Sequence, residues 1–389
     1  MGELHYLDNA STAFPKPDRV HDAMSSFYRK LGVNPGRSGY DLAMEAGLVV
    51  DGTRRALNAF FNNPARDHNR LVFAANASDA LNILIQGLVQ RGDHVISTQL
   101  EHNSVLRPLY MLEQAGVIET DLVPFDGAGF VDPDEIARRL RPSTRLVVVN
   151  HGSNVLGTVQ PVAQIGRLCR ERGVLFAIDS AQTAGVVPID MEAMRIDAVA
   201  FTGHKSLLGP TGVGGLAVGP DLPLRSTRWG GTGVKSAVRA HLEEFPHRCE
   251  IGTLNTLGIA GLMAGQEWLR DRGQAAIRAH EMELTALLLD GLREIDGLTC
   301  YCAGADDRHL PVLSCNLAGI DAAEVGTILD AQYDIAVRAG LHCAPLVHER
   351  LGTTPTGAVR FSIGPFNTRQ DVELAARAMG EIGARFPAR

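Results

Sequence analysis

Lys205 stands at the end of an apolar run, in Phe201-Thr202-Gly203-His204-Lys205-Ser206, just ahead of the glycine-rich stretch Gly209-Pro210-Thr211-Gly212. An amine set between small and polar residues in this way is not a solvated surface charge. It falls where an open α/β sheet presents reactive groups, outside the carboxyl end of a strand. Upstream, Val174-Leu175-Phe176-Ala177-Ile178-Asp179 closes a second apolar run with a lone carboxylate. An amine for a Schiff base and a carboxylate for a pyridinium nitrogen are the two protein groups that pyridoxal 5'-phosphate requires. His102 follows Val95–Leu100, and Asn154 follows Leu146–Val149, in the same manner. Each alone is weak: a lone His or Asn after a strand is more often a loop or capping residue, and Asp179 alone reads as an N-cap for a following turn. Four such groups on the rim of one parallel sheet form one surface.

The residue types suit that chemistry. Asp179 keeps a ring nitrogen protonated and Lys205 carries the aldehyde. His102, with an unperturbed pKa near ~6.5, stacks on the ring or shuttles a proton. Gln182 and Asn154 hydrogen-bond a ring hydroxyl. Asn76-Ala77-Ser78, with Ser78 as the expected N-cap of a helix, offers backbone N–H groups to a phosphate, and Thr202 and His204 add contacts. The run Gly209–Gly215 invites a nucleotide-loop reading. It lacks the Gly-Lys-Ser/Thr ending and opens no first Rossmann helix, so a tight turn is the expectation. A second chemical feature is Arg338-Ala339-Gly340-Leu341-His342-Cys343-Ala344-Pro345. Small neighbours permit movement, and an adjacent His and Arg favour a thiolate, the nucleophilic form. His342, Cys343 and His348 lack a second pair at structural-zinc spacing, so no metal is expected. Arg360 is placed to clamp a substrate carboxylate bidentately.

These groups must be held by a regular frame. From about residue 71 to 219, short apolar runs alternate with amphipathic segments. Strands are expected at Leu71–Ala75, His94–Leu100, Leu122–Phe125, Arg145–His151, Val174–Asp179, Ala198–Phe201 and Gly214–Val218. Helices are expected at Ser78–Gln90, Ser104–Gln114, Pro133–Leu140 (capped by Asp132) and Pro161–Arg172 (ended by Gly173). That order predicts a mostly parallel sheet with helices on both faces. Beyond about residue 260 come helices at Ile259–Asp271 and Ala275–Leu292, strands at Leu310–Leu317, Ile335–Arg338 and Ala358–Ile363, and a helix at Arg369–Ile382, a smaller α+β unit. The chain has 389 residues, 45% hydrophobic and 21% charged, with a net charge of −7. Such a balance argues against nucleic-acid or anionic-membrane partners. Met1–Tyr6 shows no secretory pattern and no run of apolar residues is long enough to span a membrane. Six dispersed cysteines fit reduced thiols, so a cytoplasmic protein is expected.

Tyr6-Leu7-Asp8-Asn9-Ala10, Glu101-His102-Asn103, Ser153-Asn154-Val155-Leu156-Gly157-Thr158, Asp179-Ser180-Ala181-Gln182, Gly203-His204-Lys205 and Arg338-Ala339-Gly340-Leu341-His342-Cys343 together resemble the cysteine desulfurase and selenocysteine lyase group. That group lies in the class V aminotransferase branch of fold-type I pyridoxal phosphate enzymes. The Arg-x-Gly-x-His-Cys pattern resembles its Suf-type (group II) members. The resemblance implies an α/β fold, with a mostly parallel seven-stranded sheet in a large domain (16–262) and a small domain formed by residues 1–15 and 263–389. It implies Lys205 as the coenzyme-bearing lysine, His102 over the ring, Asp179 at the ring nitrogen and Gln182 at the ring oxygen. Asn154, Arg360 and Arg338 are then substrate contacts, and Cys343 is the persulfide carrier. Glu250-Ile251-Gly252-Thr253-Leu254-Asn255-Thr256 matches the segment that reaches a neighbouring subunit's phosphate site, so Thr253 implies a homodimer. Substrates on this scaffold are L-cysteine or L-selenocysteine, with a sulfur-acceptor protein as a possible partner. Another C–S lyase, a class V aminotransferase and a non-catalytic sulfur-assembly scaffold stay open. Three features depart from the pattern. The phosphate turn Asn76-Ala77-Ser78-Asp79-Ala80 has one hydroxyl fewer, the region after Trp229–Gly233 is short, and the loop Cys343-Ala344-Pro345-Leu346 is one residue shorter.

Overall fold

The structure, a computed structural model, describes residues 4–35 and 40–386. The first three residues of the N-terminal stretch read above lie outside them. In chain order the elements of the first part are β1 (His5–Tyr6), α1 (Asp18–Leu31), α2 (Asp41–Phe60), β2 (Leu71–Ala74), α3 (Ala77–Leu88), β3 (Asp93–Thr98), α4 (Asn103–Gln114), β4 (Ile118–Val123), α5 (Pro133–Arg139), β5 (Thr144–Asn150), α6 (Val162–Arg172), β6 (Leu175–Asp179), β7 (Ala198–Thr202) and β8 (Gly214–Val218). Then come α7 (Thr256–Arg272), α8 (Gln274–Arg293), β9 (Leu298–Cys300), β10 (Val312–Leu317), α9 (Ala322–Tyr333), β11 (Ile335–Ala336), β12 (Arg338–Gly340), α10 (Pro345–Leu351), β13 (Ala358–Ser362) and α11 (Arg369–Arg385).

Seven strands form the large sheet in the order β2-β8-β7-β6-β5-β3-β4. From β7 to β4 they run parallel, and β8 runs antiparallel to both β2 and β7. Its reversal follows from its connection, since the turn after β7 contains no crossover helix. Both faces are covered, and the side chains alternate between them. Val147 and Val149 of β5, Phe176 and Ile178 of β6, and Val199 and Phe201 of β7 enter one core. Leu146, Val148, Ala177, Ala198 and Ala200 enter the other. Burial of each large apolar side chain contributes about 2 kcal/mol.

The glycine-rich segment is explained by close approach rather than by a nucleotide. A Cβ on Gly214 would stand 2.6 Å from the Phe201 carbonyl oxygen and 2.8 Å from Asn76 Cα. On Gly215 it would meet the Val72 oxygen at 2.3 Å. Glycine lets β8 lie against β7 and the entry to α3 together, which brings Thr202 beside the start of that helix.

A smaller unit carries a four-stranded sheet, β12-β13-β10-β9, packed on its own core of α8, α9 and α11. The N-terminal arm joins it, β1 pairing in parallel with β11. Several expectations change. Asn76, not Ser78, caps α3, its Oδ1 accepting the Asp79 N–H at 3.0 Å. The strand expected at Ile335–Arg338 is two strands, β11 on the arm and β12 on β13. The strand expected at Leu122–Phe125 is β4, which starts four residues earlier, and helices α1, α2, α9 and α10 and strand β9 were not anticipated. Asp132 caps α5 and Gly173 ends α6 in the left-handed conformation, as expected.

Candidate active site

Parallel pairing decides which groups meet. Asn150 ends β5 level with Asp179 at the end of β6, and Asp179 is level with Ala200, two residues before the end of β7. Beyond these carboxyl ends lies a cavity of about 270 Å³. It is lined by His102, Asn154, Asp179 and Lys205, the four rim groups of the sequence. Gln182, Ala77, Ser78, Thr202 and His204 border it too, as do Arg338, Cys343 and Arg360. Thr253 does not line it and stands exposed on the loop before α7.

Electrostatics distinguish the two central groups. Burial pulls the Lys205 amine down to about 8, against the opposing pull of Asp179, with Arg360 and Arg338 adding to the depression. Burial pushes the Asp179 carboxyl up, while the Ala181 N–H and Lys205 hold it down. The Ala181 N–H donates to Asp179 Oδ1 at 2.9 Å. His102 caps α4: its Nδ1 accepts the Ser104 N–H at 3.0 Å. Burial and the charge of Lys205 depress it to about 4, so the ring is neutral with its proton on Nε2.

One end of the cavity suits a phosphate. Thr202 Oγ1 and His204 Nδ1 are buried there without a hydrogen-bond partner. Asn76, Ala77 and Ser78 bring the positive end of α3 to the same place. Ser78 Oγ lies 2.5 Å from Ser104 Oγ, which lies 2.7 Å from His102 Nδ1. Orphaned donors and acceptors at a helix start, an amine and a carboxylate match the functional groups of pyridoxal 5'-phosphate.

The other end is built by the arm and the small sheet. Arg338 and Arg360 are opposite each other across β12 and β13. Arg360 is buried; it donates from Nη1 to the Asn154 carbonyl at 3.0 Å, and from Nη2 to Asp8 Oδ1 and Ser11 Oγ, both at 2.8 Å. Only its Nε lacks a partner. Three of the five guanidinium N–H groups are therefore already engaged, and an incoming carboxylate meets the Nε–H and the remaining Nη1 hydrogen beside Arg338. Arg338 itself donates to Ser11 Oγ at 2.9 Å. Gln182 donates to the Ala10 carbonyl at 3.0 Å, so the arm orients its amide.

Cys343 is exposed, between β12 and α10. His342 and Cys343 both adopt left-handed backbone, with φ of 49° and 58°. Two consecutive non-glycine residues in that region store on the order of 1–2 kcal/mol each. The loop is held all the same. Asn154 Nδ2 donates to the His342 carbonyl at 2.6 Å, and the Asn103 N–H donates to the Cys343 carbonyl at 2.7 Å.

Sequence reasoning missed Asp8 and Ser11 as partners of the arginines, Ser104, and Glu101. The first two lie near the singled-out Tyr6 segment. Ser104 sits two residues beyond His102, the spacing of an N-cap contact. Glu101 is fully buried, and its Oε1 accepts from Thr98 Oγ1 at 2.7 Å and from the Asn150 N–H at 2.9 Å. Burial raises it to about 8, so it is a neutral acid at pH 7. The native state then binds one more proton than the unfolded chain between about 4.5 and 8, and stability falls as pH rises through that window. E101Q keeps a neutral side chain and removes this part of the fall. Denaturant midpoints measured from pH 5 to 8 check it, the wild type declining more steeply than E101Q.

Among the described residues no cluster of three or more His, Cys, Asp or Glu side chains is arranged to hold a metal ion. No helix among them is long and apolar enough to cross a membrane. All six cysteines are free.

Comparison with known proteins agrees with this geometry. The pattern of the family described as aminotransferase class-V matches residues 5–374. A probable cysteine desulfurase of Methanothermobacter thermautotrophicus is 37% identical over 385 residues, covering 97% of this chain and 94% of that protein. A cysteine desulfurase of Shigella flexneri is 34% identical, covering 97% and 93%. The solved cysteine desulfurase of Thermococcus onnurineus superposes with a TM-score of 0.92 at 30% identity, covering 98% of this chain and 95% of that one. With the match spanning both sheets and every strand end of the cavity, the chain belongs to the class V aminotransferase family.

Proposed function

We propose that the protein is a pyridoxal 5'-phosphate-dependent cysteine desulfurase, converting L-cysteine to L-alanine with transfer of the sulfur to Cys343. The observation that carries this reading is the convergence of Lys205, Asp179 and Cys343 on one cavity. The names of the similar proteins support it. Lys205 Nζ would tether the coenzyme, Asp179 would hold the proton on its ring nitrogen, and the α3 start with Thr202 and His204 would take its phosphate. When bound, the coenzyme supplies an electron sink for the bonding pair released at Cα.

The chain's own groups do the rest. Arg360, steadied by Asp8, Ser11 and Asn154, receives the substrate carboxylate through its free Nε, with Arg338 alongside. Lys205 Nζ, held at about 8, is in part free amine at neutral pH and takes the Cα proton. His102 is not the base here: Nδ1 is occupied by the Ser104 N–H and Nε2 carries a proton, so the ring stacks and donates. Cys343 Sγ, as thiolate, attacks the substrate sulfur. The Cβ–S bond breaks, an S–S bond forms on Cys343, and the electron pair stays with the three-carbon fragment. Two protons then complete alanine, leaving the Cys343 persulfide as the product to be passed on. A thiol buried in a structural role would not be exposed at the cavity mouth, and that disfavours an aminotransferase.

A homodimer completes the reading. Met44 and Leu48, one turn apart on α2, are 63% and 64% exposed, and Leu42 near its start is 45% exposed, apolar surface that a second copy would cover. That copy would bring Thr253 to the phosphate end. Sedimentation at twice the 41.7 kDa chain mass supports this, and a monomer contradicts it. The activity is tested by incubating the coenzyme-loaded protein with L-cysteine and a thiol. Equal amounts of alanine and sulfide are expected; pyruvate or a keto-acid-dependent amine transfer would refute the desulfurase reading.

A further inference from the structure

The peptide bond leading into Lys205 has a feature that the reaction itself does not account for. β7 ends at Thr202, so the His204 carbonyl lies beyond the ladder and has no strand partner. Three donors from the N-terminal arm converge on this one oxygen instead. They are the Ala13 N–H at 3.1 Å, Thr12 Oγ1 at 3.0 Å and Lys16 Nζ at 2.5 Å. A carbonyl oxygen has two lone pairs, and a charged donor makes the strongest of such bonds.

Lys16 is an unusual choice for that place. Its side chain is half-buried, and no carboxylate lies within ion-pair distance among the described residues. Burial alone draws it down to about 8. An ammonium set there costs more than an apolar side chain of the same length would. The turn it grips is otherwise held by few backbone bonds: the Gly203 N–H to the Val213 carbonyl, the Leu208 N–H to the Lys205 carbonyl and the Gly209 N–H to the Gly203 carbonyl. The same arm orients Gln182 through Ala10 and Arg360 through Asp8 and Ser11.

We infer that Lys16 is a positioning residue for Lys205. With Thr12 and Ala13 it fixes the His204 peptide plane, and hence the Cα from which the Lys205 amine reaches the cavity. Burial and the charge of Lys205 depress His204, a member of the phosphate end, and the charge of Lys16 adds to this. The inference rests on the reading of Lys205 as the coenzyme tether.

The test uses full-length protein freed of coenzyme, then mixed with pyridoxal 5'-phosphate and trapped at timed intervals with borohydride. Peptide masses report the fraction of Lys205 labelled. In the wild type the label falls on Lys205; label on another peptide would overturn the tether reading itself. K16M is expected to label Lys205 about tenfold more slowly, since a displacement of an ångström or less at a reacting group carries penalties of this order. K16R, which keeps a charged donor, restores at least half of the wild-type rate. T12V, which removes a neutral donor only, slows labelling less than K16M. The pH midpoint of the bound coenzyme's visible absorbance rises in K16M and not in T12V, because only the former removes a nearby positive charge. K16M with wild-type labelling rate and midpoint overturns the inference while leaving Lys205 as the tether. If K16M does not fold, K16R and T12V still decide it: a K16R labelling rate below half that of the wild type, or a T12V midpoint that rises, would contradict the proposal.

Discussion

K205A is expected to bind pyridoxal 5'-phosphate without the visible absorbance of a lysine-tethered coenzyme, and to lose alanine production by about a thousandfold or more. The size follows from the removal of two roles at once, covalent attachment and proton transfer at Cα, the second alone being worth about 10²–10⁴. No neighbour replaces it. His102 is depressed to about 4 by burial and the charge of Lys205 and its Nδ1 is engaged by Ser104, while Lys16 does not line the cavity and its amine is held on the His204 carbonyl. Absorbance and turnover measured on the same preparation check this result. A K205A protein that keeps both would remove Lys205 from the site.

C343S should separate the two halves of the reaction. The coenzyme ends of the cavity are untouched, so coenzyme absorbance and its pH dependence stay as in the wild type. Sulfide release in the presence of a thiol falls by about two orders of magnitude, because a serine hydroxyl is not a thiolate at neutral pH and cannot accept sulfur. Full turnover in C343S would mean that substrate sulfur leaves without passing through this side chain. The backbone of the loop, held by Asn154 and Asn103 and strained at two left-handed residues, does not depend on the sulfur atom. A structural collapse is therefore not the expected cause.

Much of the frame was legible because alternation in buried strands and helix caps are local signals. Asp132 and Gly173 illustrate it, each announcing a helix boundary with a residue suited to nothing else there. The rim groups Asp179 and Lys205 were legible for a related reason: a polar residue closing an apolar run has few places to go except beyond a strand end. What was not legible depended on distant parts of the chain. Asp8 and Ser11 meet Arg360 across about 350 residues, and no spacing in the sequence carries that contact. The antiparallel direction of β8 follows from a connection without a helix, and the glycines that permit it read equally well as a turn. Helix α1 has a one-sided pattern, burying Val20 and Phe27 two turns apart, that was passed over, whereas α2 leaves Leu42, Met44 and Leu48 exposed, so its apolar residues do not point to one face. The bond pattern at Arg360 also corrects a simple expectation, since the arm and the Asn154 carbonyl already take three of the five N–H groups of a guanidinium that the sequence alone offered whole.

The central claim is that sulfur moves from L-cysteine to one side chain at the mouth of a coenzyme-bearing crevice. Intact-protein and peptide mass analysis after brief exposure to L-cysteine, without added thiol, tests it most directly. One added sulfur is expected on the peptide containing Cys343, with alanine formed in equal amount. Alanine formed while that peptide keeps its original mass, or sulfur found on Cys300 or Cys302 instead, would contradict it.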